Sequence, residues 1–152
     1  MYINQKKANL FIIGNPRSGT STLRNILNQS EFISSIDSET HFFAEDLKIA
    51  HKIKSLNEYE KKFQIIESKK YYLDKSVEYV LSEKAAQNIK KYNKSSFIIM
   101  IIRNPYKWIN SIYNHELYED NFSTKRFINK LSQLKKFKKN IEKYEYFIKR
   151  KR

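Results

Sequence analysis

Phe11-Ile12-Ile13-Gly14-Asn15-Pro16-Arg17-Ser18-Gly19-Thr20-Ser21-Thr22-Leu23 holds both glycines of a 152-residue chain and one of its two prolines. A protein of this length ordinarily carries about eleven glycines. The pair is kept where an apolar strand, residues 8–13, gives way to a helix, residues 18–29, with Leu23, Ile26 and Leu27 on its apolar face. The other proline, Pro105, comes after a second apolar run, Phe97-Ile98-Ile99-Met100-Ile101-Ile102, and the pair Arg103-Asn104. Backbone-shaping residues are thus reserved for two strand-to-helix junctions, the places where α/β proteins hold phosphate groups.

Beyond this stretch, residues 32–36 read as a short strand and residues 42–68 as a weakly patterned helical segment. Residues 71–73 read as a strand ending at Asp74-Lys75-Ser76, and residues 76–92 as one helix. The run 97–102 is continuously apolar, as in a parallel strand covered on both faces. Pro105 suits the first position of a helix reaching about Tyr118. Residues 123–152 read as a long amphipathic helix with Phe127, Leu131, Leu134, Phe137, Ile141, Tyr144 and Ile148 in its stripe. Strands alternating with helices predict a three-layer, P-loop-like α/β fold, a central parallel sheet flanked by helices and ending in that basic helix.

Composition narrows the function classes. One domain is expected over 1–152, with a cofactor-binding core at 1–124 and the basic helix at 125–152. There is no cysteine, so disulfides, thiolate metal sites and a cysteine nucleophile are excluded, and with three histidines no metal site is expected. The net charge is +14, of which residues 125–152 carry +10 (twelve Lys/Arg against two acids). Such a tail could bind nucleic acid or an anionic membrane surface. Packing of its apolar stripe on the sheet, with lysines solvated, is the favoured reading. The longest apolar run is too short to span a bilayer and no signal-peptide pattern is present, so a soluble cytoplasmic protein with no transmembrane segment is expected.

The pattern Gly14-x-x-x-x-Gly19-Thr20-Ser21 has P-loop spacing, but Thr20 stands where the lysine that grips a nucleoside triphosphate belongs. That argues against an ATPase or nucleotide kinase. The basic side chain lies inside the loop, at Arg17, while the N–H groups of residues 18–21 still face an anion at the helix N-terminus. A tight turn with an exposed arginine is the plain alternative.

These residues carry a resemblance. Residues 15–23 resemble the 5′-phosphosulfate loop of sulfotransferases that use 3′-phosphoadenosine 5′-phosphosulfate (PAPS), in which Pro is followed by Lys or Arg, Ser or Thr, Gly and two hydroxyl residues. Protein-tyrosine sulfotransferases also have the arginine form, with a second arginine where this chain has Arg24. Glu39-Thr40-His41-Phe42-Phe43 resembles the Glu-x-x-Phe-Phe stretch of heparan-type sulfotransferases, and Asp74-Lys75-Ser76-Val77-Glu78-Tyr79 their Glu/Asp-Lys-Ser/Thr-x-x-Tyr segment. Arg103-Asn104-Pro105 with Ser111 resembles the 3′-phosphate element. The resemblance covers about residues 8–118. The family's usual later segment, which closes on the 3′-phosphate and adenine, has no match here, so a short or truncated member is expected.

What the resemblance implies is sulfuryl transfer from PAPS to a hydroxyl or amine, without a metal. Arg17, Ser18, Gly19, Thr20 and Ser21 would hold the 5′-phosphosulfate, and Arg103 with Ser111 the 3′-phosphate. Arg17 would act electrostatically, since a guanidinium does not readily give up a proton. Glu39 would be the base, with Asp37 its nearest substitute, and Lys75 would neutralise the moving sulfonate. Each has a plainer reading: Glu39 as a solvated turn residue, Lys75 as a surface lysine, Ser111 as a serine bonded to its own helix. His41 and His115 read as structural. Carbohydrate, peptide tyrosine and small alcohols stay open as acceptors. The rivals are a catalytically incomplete sulfotransferase-like fragment, a basic nucleic-acid-binding protein and a nucleotide kinase.

Overall fold

The computed structural model describes residues 7–63, 66, 68–118, 123, 128–129 and 131–132. Four strands, β1 (Leu10–Gly14), β2 (Ile33–Ser35), β3 (Tyr71–Lys75) and β4 (Phe97–Ile101), form one parallel sheet in the order β2-β3-β1-β4. Helices α1 (Thr20–Leu27), α2 (Leu56–Lys61), α3 (Ala85–Tyr92) and α4 (Pro105–Tyr118) accompany them. The expected α/β fold is the one observed.

Alternation along β1 builds the layers, because successive side chains leave a strand on opposite faces. Leu10 and Ile12 join Ile33, Leu73, Leu23 and Leu27 beneath α1. Phe11 and Ile13 face the other way, into a core of Phe43, Tyr59, Tyr72, Tyr79 and Ile89. That core is aromatic, with edge-to-face contacts such as Phe11–Phe43 and Phe43–Tyr59. β1 is central, flanked by β3 and β4, so the chain's crossovers diverge on either side of its carboxyl end. Open α/β sheets bind ligands at such a switch point.

Several expectations are corrected. Residues 42–68 are largely irregular, with α2 their one helix among the described residues. Lys52 Nζ donates to the carbonyls of Ala44, Glu45 and Leu47, serving backbone acceptors that helical amides would otherwise take. Residues 76–92 are two pieces, a 3-10 turn at Val77–Leu81 and then α3. Ser82 divides them: its extended backbone ends the turn, and its Oγ accepts from the amides of Lys84 and Ala85. β3 runs two residues further than the apolar pattern, through the buried Asp74 and Lys75. β4 lies at the edge of the described sheet and is half-exposed rather than covered on both faces. Ile26, assigned to the apolar face of α1, is exposed. The C-terminal helix expected over 123–152 lies, apart from isolated positions, outside the described residues.

Candidate active site

The loop between β1 and α1 is set by two glycines with different duties. A Cβ on Gly14 would lie 2.4 Å from the carbonyl oxygen of Ile101, so β4 can pair this closely only with glycine. Gly19 precedes α1 with φ 95°, a left-handed conformation that side chains disfavour. Arg17 adopts φ 63° without being glycine. Strain of that kind persists where the surroundings hold it, and it is typical of ligand-binding turns.

Two side chains from the second junction provide the hold. Arg103 Nη1 donates to the Arg17 carbonyl at 2.7 Å, and Trp108 Nε1 donates to the Pro16 carbonyl at 2.8 Å. Trp108 is placed by α4, whose start is dictated by local sequence: Asn104 Oδ1 accepts from the amides of Tyr106 and Lys107, ahead of Pro105 at the first helical position. The two glycine- and proline-marked junctions are therefore one structure.

Among the described residues no side chain caps α1, so its first-turn amides remain available to a ligand. Ser18 Oγ is buried and, among the described residues, has no hydrogen-bond partner. Both features suit an anion seated on the loop.

The third component comes from β3 and the loop before it. Lys75 is buried, with a side chain 7% exposed, and forms an ion pair with Glu39; its Nζ also lies 3.4 Å from Ser21 Oγ in α1. It is not a surface lysine. Glu39 Oε2 accepts from the Val77 amide at 3.2 Å and lies 3.6 Å from His41 Nε2. Glu39 is thus held in place rather than solvated freely, with its cation reaching toward the phosphate-type turn.

Beneath this lies Asp74, fully buried. Its carboxylate accepts from Ser76 and Tyr79 at 2.8 Å, Thr40 at 2.9 Å and Tyr59 at 3.0 Å. Burial pushes its carboxyl above the ordinary carboxylate value, against the pull of those hydroxyls. Burial likewise pushes the Tyr59 and Tyr79 phenols upward, so both remain donors.

Two adjoining clefts open over these groups. One, of about 440 Å³, is lined by the loop residues Pro16, Arg17 and Gly19–Thr22, with Glu39, Val77, Arg103 and Ser111. The other, of about 550 Å³, is lined by Arg17, Arg103, Lys107, Asn110, Ser111, Asn114, His115 and Tyr118. Arg17, Arg103 and Ser111 line both. Ser111 faces the clefts and, among the described residues, makes no hydrogen bond to its own helix. Most residues expected at the site are brought together here: Arg17, Gly19, Thr20, Ser21, Glu39, Arg103 and Ser111 as lining, with Lys75 just beneath. Asp37 and Arg24 are elsewhere, the Arg24 guanidinium being bonded to the carbonyls of Ile36 and Asp37.

Sequence reasoning missed Lys107, Asn110, Asn114 and Tyr118. Their three- and four-residue steps from Arg103 along α4 are the signal that could have found them. No group of three or more His, Asp or Glu is placed to hold a metal among the described residues. No described helix is long and apolar enough to cross a membrane.

A parallel sheet with a glycine-marked turn at its switch point, braced by an arginine from the next junction, defines an open α/β protein whose turn has the form of a phosphate loop. The family model described as Sulfotransferase domain matches residues 7–150, and the chain belongs to that family. It is similar to mouse heparan sulfate glucosamine 3-O-sulfotransferase 5, with 30% identity over 101 residues, covering 66% of this chain and 28% of that protein. The solved structure of a sulfotransferase from Alicyclobacillus acidocaldarius shares the fold, with TM-score 0.74 and 20% identity over 95% of this chain and 68% of that one. The chain thus spans well under a third of the curated relative it matches.

Proposed function

We propose that the chain is a PAPS-dependent sulfotransferase acting on a hydroxyl acceptor. The observation that carries this reading is the bond from Arg103 to the Arg17 carbonyl, with both arginines lining both clefts. It makes one continuous cationic floor from the turn at Gly14–Ser21 to the face of α4, as a ligand with phosphates at its 5′ and 3′ positions requires.

The bound donor supplies a sulfuryl group joined to a phosphate leaving group. Arg17 and the amides of Gly19, Thr20 and Ser21 hold the 5′ end; the Ser18 amide, expected among them, is already spent on the Asn15 carbonyl at 3.2 Å, and it is the Ser18 hydroxyl that completes the cradle. Arg103 and Ser111 hold the 3′-phosphate, with Lys107 in reserve on the next turn of α4. As the sulfur–oxygen bond to phosphate breaks, negative charge grows where the loop donors already point, which is the arrangement that lowers such barriers most. Glu39 takes the proton of the acceptor hydroxyl as its oxygen bonds to sulfur. Lys75 lies between Glu39 and Ser21, where it can neutralise the sulfonate in transit. The mouse relative is named for sulfation of heparan sulfate glucosamine, so a carbohydrate hydroxyl is the first acceptor class to screen.

Titration with 3′-phosphoadenosine 5′-phosphate (PAP) by calorimetry, with ATP as the control, tests the reading. Micromolar PAP binding that is lost in Arg103→Ala supports it. Absence of binding by the folded chain, or preference for Mg-ATP, refutes it.

A further inference from the structure

We propose that Asp74 is a positioning residue for this site, acting through Ser76 and Tyr79 to fix the loop that presents Glu39. The inference rests on the role given to Glu39 above.

Hydrogen-bond direction is decisive. Asp74, as carboxylate, can only accept. Ser76 therefore spends its single hydrogen on Asp74 Oδ1, and its oxygen is left to receive the amides of Thr40 at 3.0 Å and His41 at 3.2 Å. Tyr79 likewise donates to Asp74 Oδ2 and receives the amide of Phe43 at 3.5 Å. Thr40 adds its own hydroxyl to Oδ2. One buried carboxylate thus orients the acceptors of three loop amides immediately after Glu39. Within that loop His41 adopts φ 50°, a conformation that needs its surroundings to hold it. Stability alone is a poor reason for such a group, because buried ionic centres are often replaced by apolar residues without loss. Position is the better one: Glu39 meets Lys75 and the Val77 amide only if the loop is fixed.

Asp74→Asn places an amide donor in the cluster and reverses the direction of at least one of these bonds. Ser76→Ala deletes the acceptor of Thr40 and His41 while leaving the carboxylate. Tyr72→Phe is the control: it removes a buried tyrosine hydroxyl of the same core, one bonded to the Ile66 carbonyl instead.

The readout is the Val77 amide, whose partner is Glu39 Oε2. Hydrogen exchange at Val77 is expected to rise roughly 10- to 100-fold in Ser76→Ala and Asp74→Asn, the loss of a charge-assisted bond. Amides of β1 should keep their protection, and Tyr72→Phe should leave Val77 unchanged. PAP affinity should stay within about twofold, because the loop at Gly14–Ser21 and α4 are built separately. PAPS turnover, followed as PAP release, should fall on the order of 100-fold, the cost of a small misplacement. Unchanged Val77 exchange in Ser76→Ala would overturn the proposal, as would turnover and PAP affinity falling together. If the unaltered chain binds no PAP, the functional reading fails, while Val77 exchange still decides whether Asp74 positions Glu39.

Discussion

Arg103 and Arg17, 86 residues apart, are joined by a guanidinium-to-carbonyl hydrogen bond that lets one cation brace the loop carrying the other. Arginine suits this because its fork can serve the carbonyl and a phosphate at once, whereas an ammonium is a single point. Arg103→Lys is therefore expected to weaken PAP binding about tenfold despite keeping the charge, close to one lost charge-assisted bond. Calorimetry checks this; undiminished affinity would mean that only the charge matters.

Glu39→Gln keeps the shape of the side chain and removes its basicity. Turnover is expected to drop roughly 10²- to 10⁴-fold, the usual contribution of a positioned base, with PAP affinity nearly unchanged. Steady-state kinetics beside PAP titration separates the two. A variant that turns over normally would transfer the role to another group.

The two glycines should respond unequally to alanine. At Gly14 the new methyl meets the Ile101 carbonyl at 2.4 Å in a backbone held at φ 148°, so a loss of about 3 kcal/mol or more is expected. At Gly19 nothing lies within 4 Å, and only the left-handed backbone is strained, costing roughly 1–2 kcal/mol. Urea unfolding of both variants tests the ranking, and equal losses would contradict it.

Asp74 predicts a pH signature. Its folded-state pKa lies above the ordinary 3.8, so between those values the folded chain binds the proton more tightly than the unfolded chain. The contribution of this group is therefore fully present below pH 3.8, declines as pH rises through the window and is flat above the folded value. The difference in unfolding free energy between the natural chain and Asp74→Asn should track that course in a series of denaturant titrations. A difference independent of pH would show that Asp74 ionises as an ordinary surface aspartate.

These predictions fall unevenly on what the chain discloses by reading alone. The loop at Gly14–Ser21 and the element at Arg103–Ser111 are legible because each is a local device, a rare residue type at a required backbone position or spacing. β3 is legible only through Leu73, since Asp74 and Lys75 look like the polar end of a strand. Their burial depends on Thr40, Tyr59 and Glu39, which are 15 to 36 residues away and carry no periodic mark. The same holds for residues 42–68, where Phe43 packs on the distant Phe11 and Tyr79, and Lys52 gathers nearby carbonyls, against a weak helical pattern. Ser82 hides the break before α3, because a single serine between Leu81 and Glu83 gives no sign that its hydroxyl will take the amides of Lys84 and Ala85.

The order of assembly is set by the sheet. Every strand pair is parallel and each ladder joins segments distant in the chain, with β1 needing both β3 and β4. Among the described residues there is no hairpin to form early and template the rest, and non-local pairing of this kind closes slowly. The brace on the loop arrives later still, from Arg103 and Trp108. On a ribosome Pro16 is translated 92 residues before Trp108, so the turn at Gly14–Ser21 stays unbraced until Trp108 has cleared the exit tunnel. A nascent chain stalled before that point would carry the whole loop sequence without the two bonds that hold its backbone in shape.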